Sequence, residues 1–271
     1  MNNYHTHTFR CGHASGDVGD YVLAARAAGL SELGFSDHVP FPDGLWPESR
    51  MSMDDVGGYL SAVSAAAEAE RTRAGGGIAI LSGFECEWRD TMDGYLRDLV
   101  PTLGLDYLVA GVHWVPFQGE WIPTTHITRK RELRAFADYT VKTIRSGLFA
   151  FLAHPDIFCA RWYEWDDEAR ACSREILAAA EAERLPLEIN GYGLRKPYTD
   201  SAEGRRPQYP CLRFWELAAE YDIEVLVNSD AHRAMDVAAS LHEGRAIAEL
   251  FGLRLIDRLP ARSAAPAVLE S

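Results

Sequence analysis

The sequence predicts a parallel α/β architecture closed into a (β/α) barrel, and three observations carry that expectation. Short β-prone apolar runs alternate with longer segments of helical spacing through most of the chain, the pattern left by right-handed strand–helix–strand crossovers. Seven such strands are enough to close a sheet or nearly close it. Neither a G-x-G-x-x-G turn after a strand nor a G-x-x-x-x-G-K-[ST] loop occurs, which removes the commonest signs of an open nucleotide-binding sheet.

Taken in order, the first strand is expected at residues 4–7, and a helix opens at Asp17 and stops at Gly29. Residues 33–36 read as the second strand. A helix over about 53–74 ends at Gly75-Gly76-Gly77, and 78–85 is the third strand. Runs at 107–113, 149–154, 186–190 and 223–228 complete the set, each preceded by helical spacing. The stretches 39–52, 114–128 and 191–210 show no periodicity and are expected to be lids or binding loops. Residues 1–261 are read as a single domain, with 262–271, rich in Ala, Ser and Pro, as a frayed tail.

Composition narrows the partners. With 47% hydrophobic and 25% charged residues over 271 positions, the chain can bury a large core. Lys and Arg number 27 against 40 Asp and Glu, a net charge of −13 that repels nucleic acid and anionic lipid. The five cysteines form no C-x-x-C pair, so neither a zinc ribbon nor a redox motif is indicated. The start MNNYHTHTF lacks the basic and apolar regions of a secretory signal, and no apolar run is long enough to span a bilayer. A cytoplasmic protein with no membrane or nucleic-acid partner is expected.

The strand ends carry the unusual chemistry. His5 and His7 lie two apart on the first strand, so their side chains leave the same face. Asp37-His38 ends the second strand, Glu85 the third, His113 the fourth, His154 the fifth, Asn190 the sixth and Asp230-x-His232 the seventh. In a parallel barrel these ends meet around one mouth, and His13 in the loop Cys11-Gly12-His13 can reach it. Any one of these could be an ordinary buried histidine bonded to a carbonyl. Seven of the nine histidines gathered with Glu85 and Asp230 are costly to bury unless something pairs with them. Metal ions supply that pairing, and imidazole with a few carboxylates suits zinc, iron or manganese. Nine candidate ligands exceed what one or two ions need, so three divalent ions are expected. The resulting cationic pocket in an acidic protein matches a small phosphomonoester dianion.

The motifs His5-Thr6-His7-Thr8, Cys11-Gly12-His13-Ala14, Ser36-Asp37-His38, Gly83-Phe84-Glu85, Gly111-Val112-His113, Ala153-His154-Pro155-Asp156 and Ser229-Asp230-Ala231-His232 together resemble the polymerase and histidinol phosphatase (PHP) family. The resemblance implies a distorted (β/α)7 barrel with a three-metal site at the C-terminal mouth of the strands. It implies ligands at His5, His7, His13, His38, Glu85, His113, His154, Asp230 and His232, with Glu85 as the bridge. Asp37 is expected behind them, orienting His38 or a bound water, and Glu87 as a carboxylate outside the ligand set or at the surface.

Within the family, Pro47-Glu48-Ser49-Arg50-Met51, Asn190-Gly191-Tyr192-Gly193-Leu194-Arg195-Lys196-Pro197 and Tyr209-Pro210 resemble the histidinol-phosphatase branch. That branch implies hydrolysis of L-histidinol phosphate to L-histidinol and phosphate in histidine biosynthesis. Attack is expected from a metal-bridging hydroxide held by Glu85, His113, His154 and Asp230. Arg195 would clamp the phosphate with its guanidinium fork, the alternative being a solvated arginine. Arg50 and Arg161, in loops near the mouth, are candidates for a second clamp, and Asn190 for a contact to substrate or a metal-bound water. The competing readings are a phosphatase for another small phosphomonoester, an exonuclease-like phosphodiesterase, a barrel amidohydrolase and a non-catalytic metal-binding module.

Overall fold

From the N-terminus the chain forms β1 (Asn2–Asn3), α1 (Val18–Ala27), β2 (Glu32–Phe35), α2 (Val56–Arg71), β3 (Ala79–Cys86), α3 (Asp93–Leu103) and β4 (Tyr107–Ala110). A hairpin of β5 (Trp114–Phe117) and β6 (Glu120–Pro123) follows, then α4 (Lys130–Arg145), β7 (Phe151–Leu152), α5 (Asp167–Glu183) and β8 (Leu187–Asn190). The rest comprises α6 (Gly191–Arg195), a hairpin of β9 (Thr199–Ser201) and β10 (Gly204–Arg206), α7 (Leu212–Ala218), β11 (Glu224–Asn228), α8 (Leu241–Leu250) and β12 (Arg254–Leu255). This computed structural model describes residues 1–202 and 204–260, so the tail read at 262–271 lies outside the described residues.

Eight of the strands form one sheet in the order β1-β2-β3-β4-β7-β8-β11-β12, and every pairing in it is parallel. Beyond the ladder, a parallel bridge joins Thr6 to Ala231, with His7 N–H donating to the Ala231 carbonyl at 2.9 Å. The chain leaving β1 therefore touches β2 on one side and the chain leaving β11 on the other. At the opposite end β12 occupies that gap, pairing Arg254 with Glu224 while Asn2 Nδ2 donates to the Asp257 carbonyl.

Two sequence expectations need correcting here. Residues 4–7 form no continuous ladder: Thr6 makes a single bridge to Ala231, and side chains serve other backbone donors, Asn228 Oδ1 accepting from Tyr4 N–H and Ser36 Oγ from Thr6 N–H. The sheet also has eight strands rather than seven, because the two residues of β12 are too few to show a period.

Local chemistry explains the helices. Asp17 and Asp20 form a capping box at the start of α1. The helix expected over 53–74 begins with a 3-10 turn at Met53–Asp55 and closes at Arg71. The glycines after it let the chain double back: a Cβ on Gly77 would lie 2.2 Å from the Glu70 carbonyl oxygen. On α4, Leu133, Phe136 and Ile144 are buried, as its apolar spacing predicts. Two of the non-periodic stretches contain hairpins. In the first, Gln118 and Gly119 both take positive φ and form the two-residue turn that lets β5 and β6 pair. Among the described residues no helix is long and apolar enough to cross a membrane.

Candidate metal centre

The ends of the parallel strands deliver the histidines and acids to one place. His5 and His7 follow β1, His38 follows β2, Glu85 lies near the end of β3, His113 follows β4, His154 follows β7, and Asp230 and His232 follow β11. His13 enters from the loop after the 3-10 turn Phe9–Cys11, turned by Gly12 at φ +80°. His154 and Asp230 hold φ of +32° and +48°, left-handed values that cost a non-glycine residue about 1–3 kcal/mol. Folding tolerates that cost where both side chains are aimed into the cluster.

Glu85 is the hub. Its Oε1 lies 3.1 Å from His154 Nε2 and 3.4 Å from His113 Nε2. Its Oε2 lies 3.2 Å from His5 Nε2, 3.3 Å from His7 Nε2 and 3.3 Å from His38 Nδ1. Asp230 Oδ1 faces His7 Nε2 at 3.3 Å, His232 Nδ1 at 3.4 Å and His5 Nε2 at 3.6 Å. The His13 ring completes the group, its centroid 4.9 Å from that of His232 and 6.3 Å from that of His7.

These separations are those of ligands around shared ions. Bonds of about 2.0–2.1 Å at tetrahedral angles place ligand atoms roughly 3.3 Å apart. His5 Nε2, His38 Nδ1 and Asp230 Oδ1 are buried and make no hydrogen bond, although each has a potential partner 3.2–3.6 Å away. Buried polar atoms left this way are costly, and a cation at their convergence removes the cost. The residues present therefore fit a transition-ion centre.

Hydrogen bonds behind the cluster choose which ring nitrogen faces inward. His5 Nδ1 lies 2.8 Å from Glu188 Oε1 and His113 Nδ1 lies 2.7 Å from Glu87 Oε1, leaving Nε2 of each toward Glu85. His13 Nδ1 lies 2.9 Å from the Cys11 carbonyl oxygen. Gly111 lets Glu85 pass, since a Cβ there would stand 2.4 Å from Glu85 Oε1.

The charges are mutually dependent. Burial disfavours the imidazolium of His7, but Asp230 and Glu85 outweigh it and raise its pKa to about 9. Burial raises the carboxyls of Glu85 and Asp230, yet surrounding imidazoles hold both well below the usual carboxylate range. Burial and then the charge of His7 push His232 down to about 3, and burial likewise lowers His13 and His38. The cluster cannot protonate all its rings, and a neutral imidazole is the form that ligates a metal.

The remaining expected residues divide. Asp37 accepts from Thr8 N–H at 2.8 Å and Thr8 Oγ1 at 2.9 Å, so it holds the chain beyond His7 rather than orienting His38. Asn190 donates to Glu188 Oε2 and Asp230 Oδ2 and accepts from Gly193 N–H, all at 2.8–3.1 Å. It is fully buried, a brace for Asp230 rather than a group presented to substrate.

Arg50 is buried and donates to the carbonyls of Trp46 and Val39 and to Glu87 Oε2 at 2.9 Å. Glu87 is likewise buried, not at the surface. Arg195 ties down the loop after β11 through the carbonyls of Ser229, Asp230 and Ala239. Arg161 is exposed in the loop after His154, with Nη1 3.0 Å from the Tyr163 hydroxyl.

Sequence reasoning missed Glu188. Tyr192 and Tyr209, noted in the sequence only as parts of the branch motifs, prove to be aromatic neighbours of the cluster: Tyr192 stacks on His232 at 4.8 Å, and Tyr209 packs edge-on to His154 at 6.2 Å.

A protein of Deinococcus radiodurans named "Probable histidinol-phosphatase" is 28% identical over 244 residues, covering 86% of each chain. One of the same name from Schizosaccharomyces pombe is 23% identical, over 92% of this chain and 86% of that one. The crystal structure of histidinol phosphate phosphatase from Lactococcus lactis, complexed with zinc, L-histidinol and phosphate, superposes with a TM-score of 0.73 at 18% identity, covering 94% of this chain and 95% of that one. That likeness establishes a shared fold. Residues 3–191 match the PHP domain, and the chain belongs to the PHP domain family.

Proposed function

We propose that this protein is a metal-dependent phosphomonoesterase that hydrolyses L-histidinol phosphate to L-histidinol and phosphate. The observation that carries the reading is Glu85, whose two carboxylate oxygens face five imidazoles from four separate segments at 3.1–3.4 Å. The relatives that share this fold and are named as histidinol phosphatases supply the substrate. In this reading the sheet is a distorted (β/α)7 barrel with β12 wedged between β11 and β1, and its C-terminal mouth holds three divalent ions of zinc, iron or manganese. The ligands are His5, His7, His13, His38, Glu85, His113, His154, Asp230 and His232.

Bound ions of this kind polarise phosphoryl oxygens and lower the pKa of water, so hydrolysis needs no phosphorylated side chain. The chain's own residues do the rest. Glu85 and Asp230 set the spacing of the imidazoles. Glu87 and Glu188 hold His113 and His5 in the tautomer that keeps Nε2 free. Arg195, its fork anchored on three carbonyls beside Asp230, keeps positive charge at the rim where a phosphate dianion enters. Lys196 adds to it, its Nζ 4.1 Å from the centre of the Tyr192 ring that stacks on His232. Arg161 is the exposed cation available from the loop after His154.

The test is phosphate release by purified protein supplied with manganese, zinc or iron, offered L-histidinol phosphate, several sugar phosphates and single-stranded DNA. Efficient turnover of L-histidinol phosphate alone is expected. Preference for a sugar phosphate would overturn the substrate, and cleavage of DNA would revive the phosphodiesterase reading.

A further inference from the structure

Glu188 sits on β8 with no exposed surface, between Leu187 and Ile189. Its Oε1 accepts from His5 Nδ1 at 2.8 Å and Asn228 Nδ2 at 2.9 Å. Its Oε2 accepts from the His154 N–H at 3.1 Å and Asn190 Nδ2 at 2.8 Å. One carboxylate thus binds the chain leaving β1, the chain leaving β7, and the ends of β8 and β11.

Glu87 does the same service for His113 but in a different electrostatic setting. Its Oε1 meets His113 Nδ1 at 2.7 Å, while its Oε2 is paired with the guanidinium of Arg50 at 2.9 Å. The partners of Glu188 are three amides and one imidazole, with no guanidinium or ammonium among them. With no guanidinium or ammonium against it, the negative field of this buried carboxylate is offset less than that of Glu87, in a medium that screens charge poorly. That charge reaches His5 Nε2 through the ring and makes it the stronger donor, whereas the charge behind His113 is already neutralised. Exposure runs the same way: the His5 side chain is 0% exposed and the His113 side chain 26%.

We propose that Glu188 is a positioning residue which, through His5, makes the cation position shared by His5, Glu85 and Asp230 the most tightly held in the cluster. The position between His38 and His113, whose supporting carboxylate is paired with Arg50, is the most readily emptied. This inference rests on the reading of the cluster as a metal centre.

The experiment dialyses zinc-loaded holoenzyme against graded concentrations of a chelator and counts retained ions by elemental mass spectrometry, with circular dichroism to confirm folding. Wild-type protein is expected to release its ions in steps. Glu188→Gln should give up the last ion at roughly 10–100-fold lower chelator, while Glu87→Gln shifts an earlier step and leaves the last one in place. Glu188→Asp, which keeps the charge but withdraws the oxygens from Nδ1, should move the last step in the same direction and serves if the glutamine variant does not fold. An unchanged last step in the Glu188 variants, or an equal shift in Glu87→Gln, overturns the inference while leaving the metal centre intact. A wild-type protein that takes up no transition ion overturns both.

Discussion

Gly111 stands where the chain leaving β4 passes the carboxylate of Glu85, and the structure leaves no room there for a side chain. A Cβ built on Gly111 lies 2.4 Å from Glu85 Oε1, 3.0 Å from its carboxyl carbon and 2.7 Å from His113 Cε1. Ordinary contact begins at 3.4 Å, so the Gly111→Ala variant requires Glu85 or the His113 loop to retreat by about 1 Å. Glu85 is 1% exposed and faces five imidazoles, so it has nowhere to go without breaking the spacing of the cluster. Overpacking of this kind costs about 1–3 kcal/mol of stability, which leaves the protein folded. A reacting centre misplaced by about 1 Å loses roughly a hundredfold in rate, or about 2.7 kcal/mol of barrier. The assay is kcat for phosphate release at saturating metal, measured beside metal content and urea denaturation. Gly111→Ala with wild-type turnover and full metal content would refute the placement of Glu85 at the centre of the chemistry.

In α2, Gly57 and Gly58 have open space where a Cβ would go, so Gly57→Ala or Gly58→Ala should raise unfolding free energy by about 0.5–1 kcal/mol with turnover unchanged. Removing Arg50 leaves Glu87 buried without its cation, and Arg50→Ala should cost about 3–5 kcal/mol in urea denaturation; an exposed substrate clamp would cost almost nothing. Glu70 tests the pH behaviour away from the candidate metal centre. Burial raises its carboxyl, but Arg73, the Ile78 N–H and Arg26 hold it below its ordinary value of 4.5. Its contribution to stability is therefore complete above about pH 4.5 and lost as the pH falls below that, and Glu70→Gln should flatten this acid limb in a series of melting curves.

The gathering of these histidines and acids was legible in the sequence because parallel strands impose a rule independent of loop conformation: whatever ends a strand arrives at one end of the sheet. His5, His38, Glu85, His113, His154 and Asp230 all obey it. The supporting groups were harder to read. Arg50 and Arg195 are equally plausible as clamps in sequence, yet one is buried against Glu87 and the other is bound to carbonyls, because the direction of a long side chain depends on loop packing. Glu188 carried a usable signal, an acid flanked by Leu187 and Ile189 in a strand buried throughout, since such a charge needs a partner. The hairpin of β5 and β6 escaped notice because Gln-Gly is a weaker turn signal than Asn-Gly, and β12 because two residues show no alternation.

Anomalous diffraction from crystals of the protein saturated with zinc or manganese tests the central claim most directly. Strong peaks within bonding distance of both Glu85 oxygens, with further ligation from His5, His113, His154 and Asp230, are predicted. The same side chains gathered around no peak at all would contradict it.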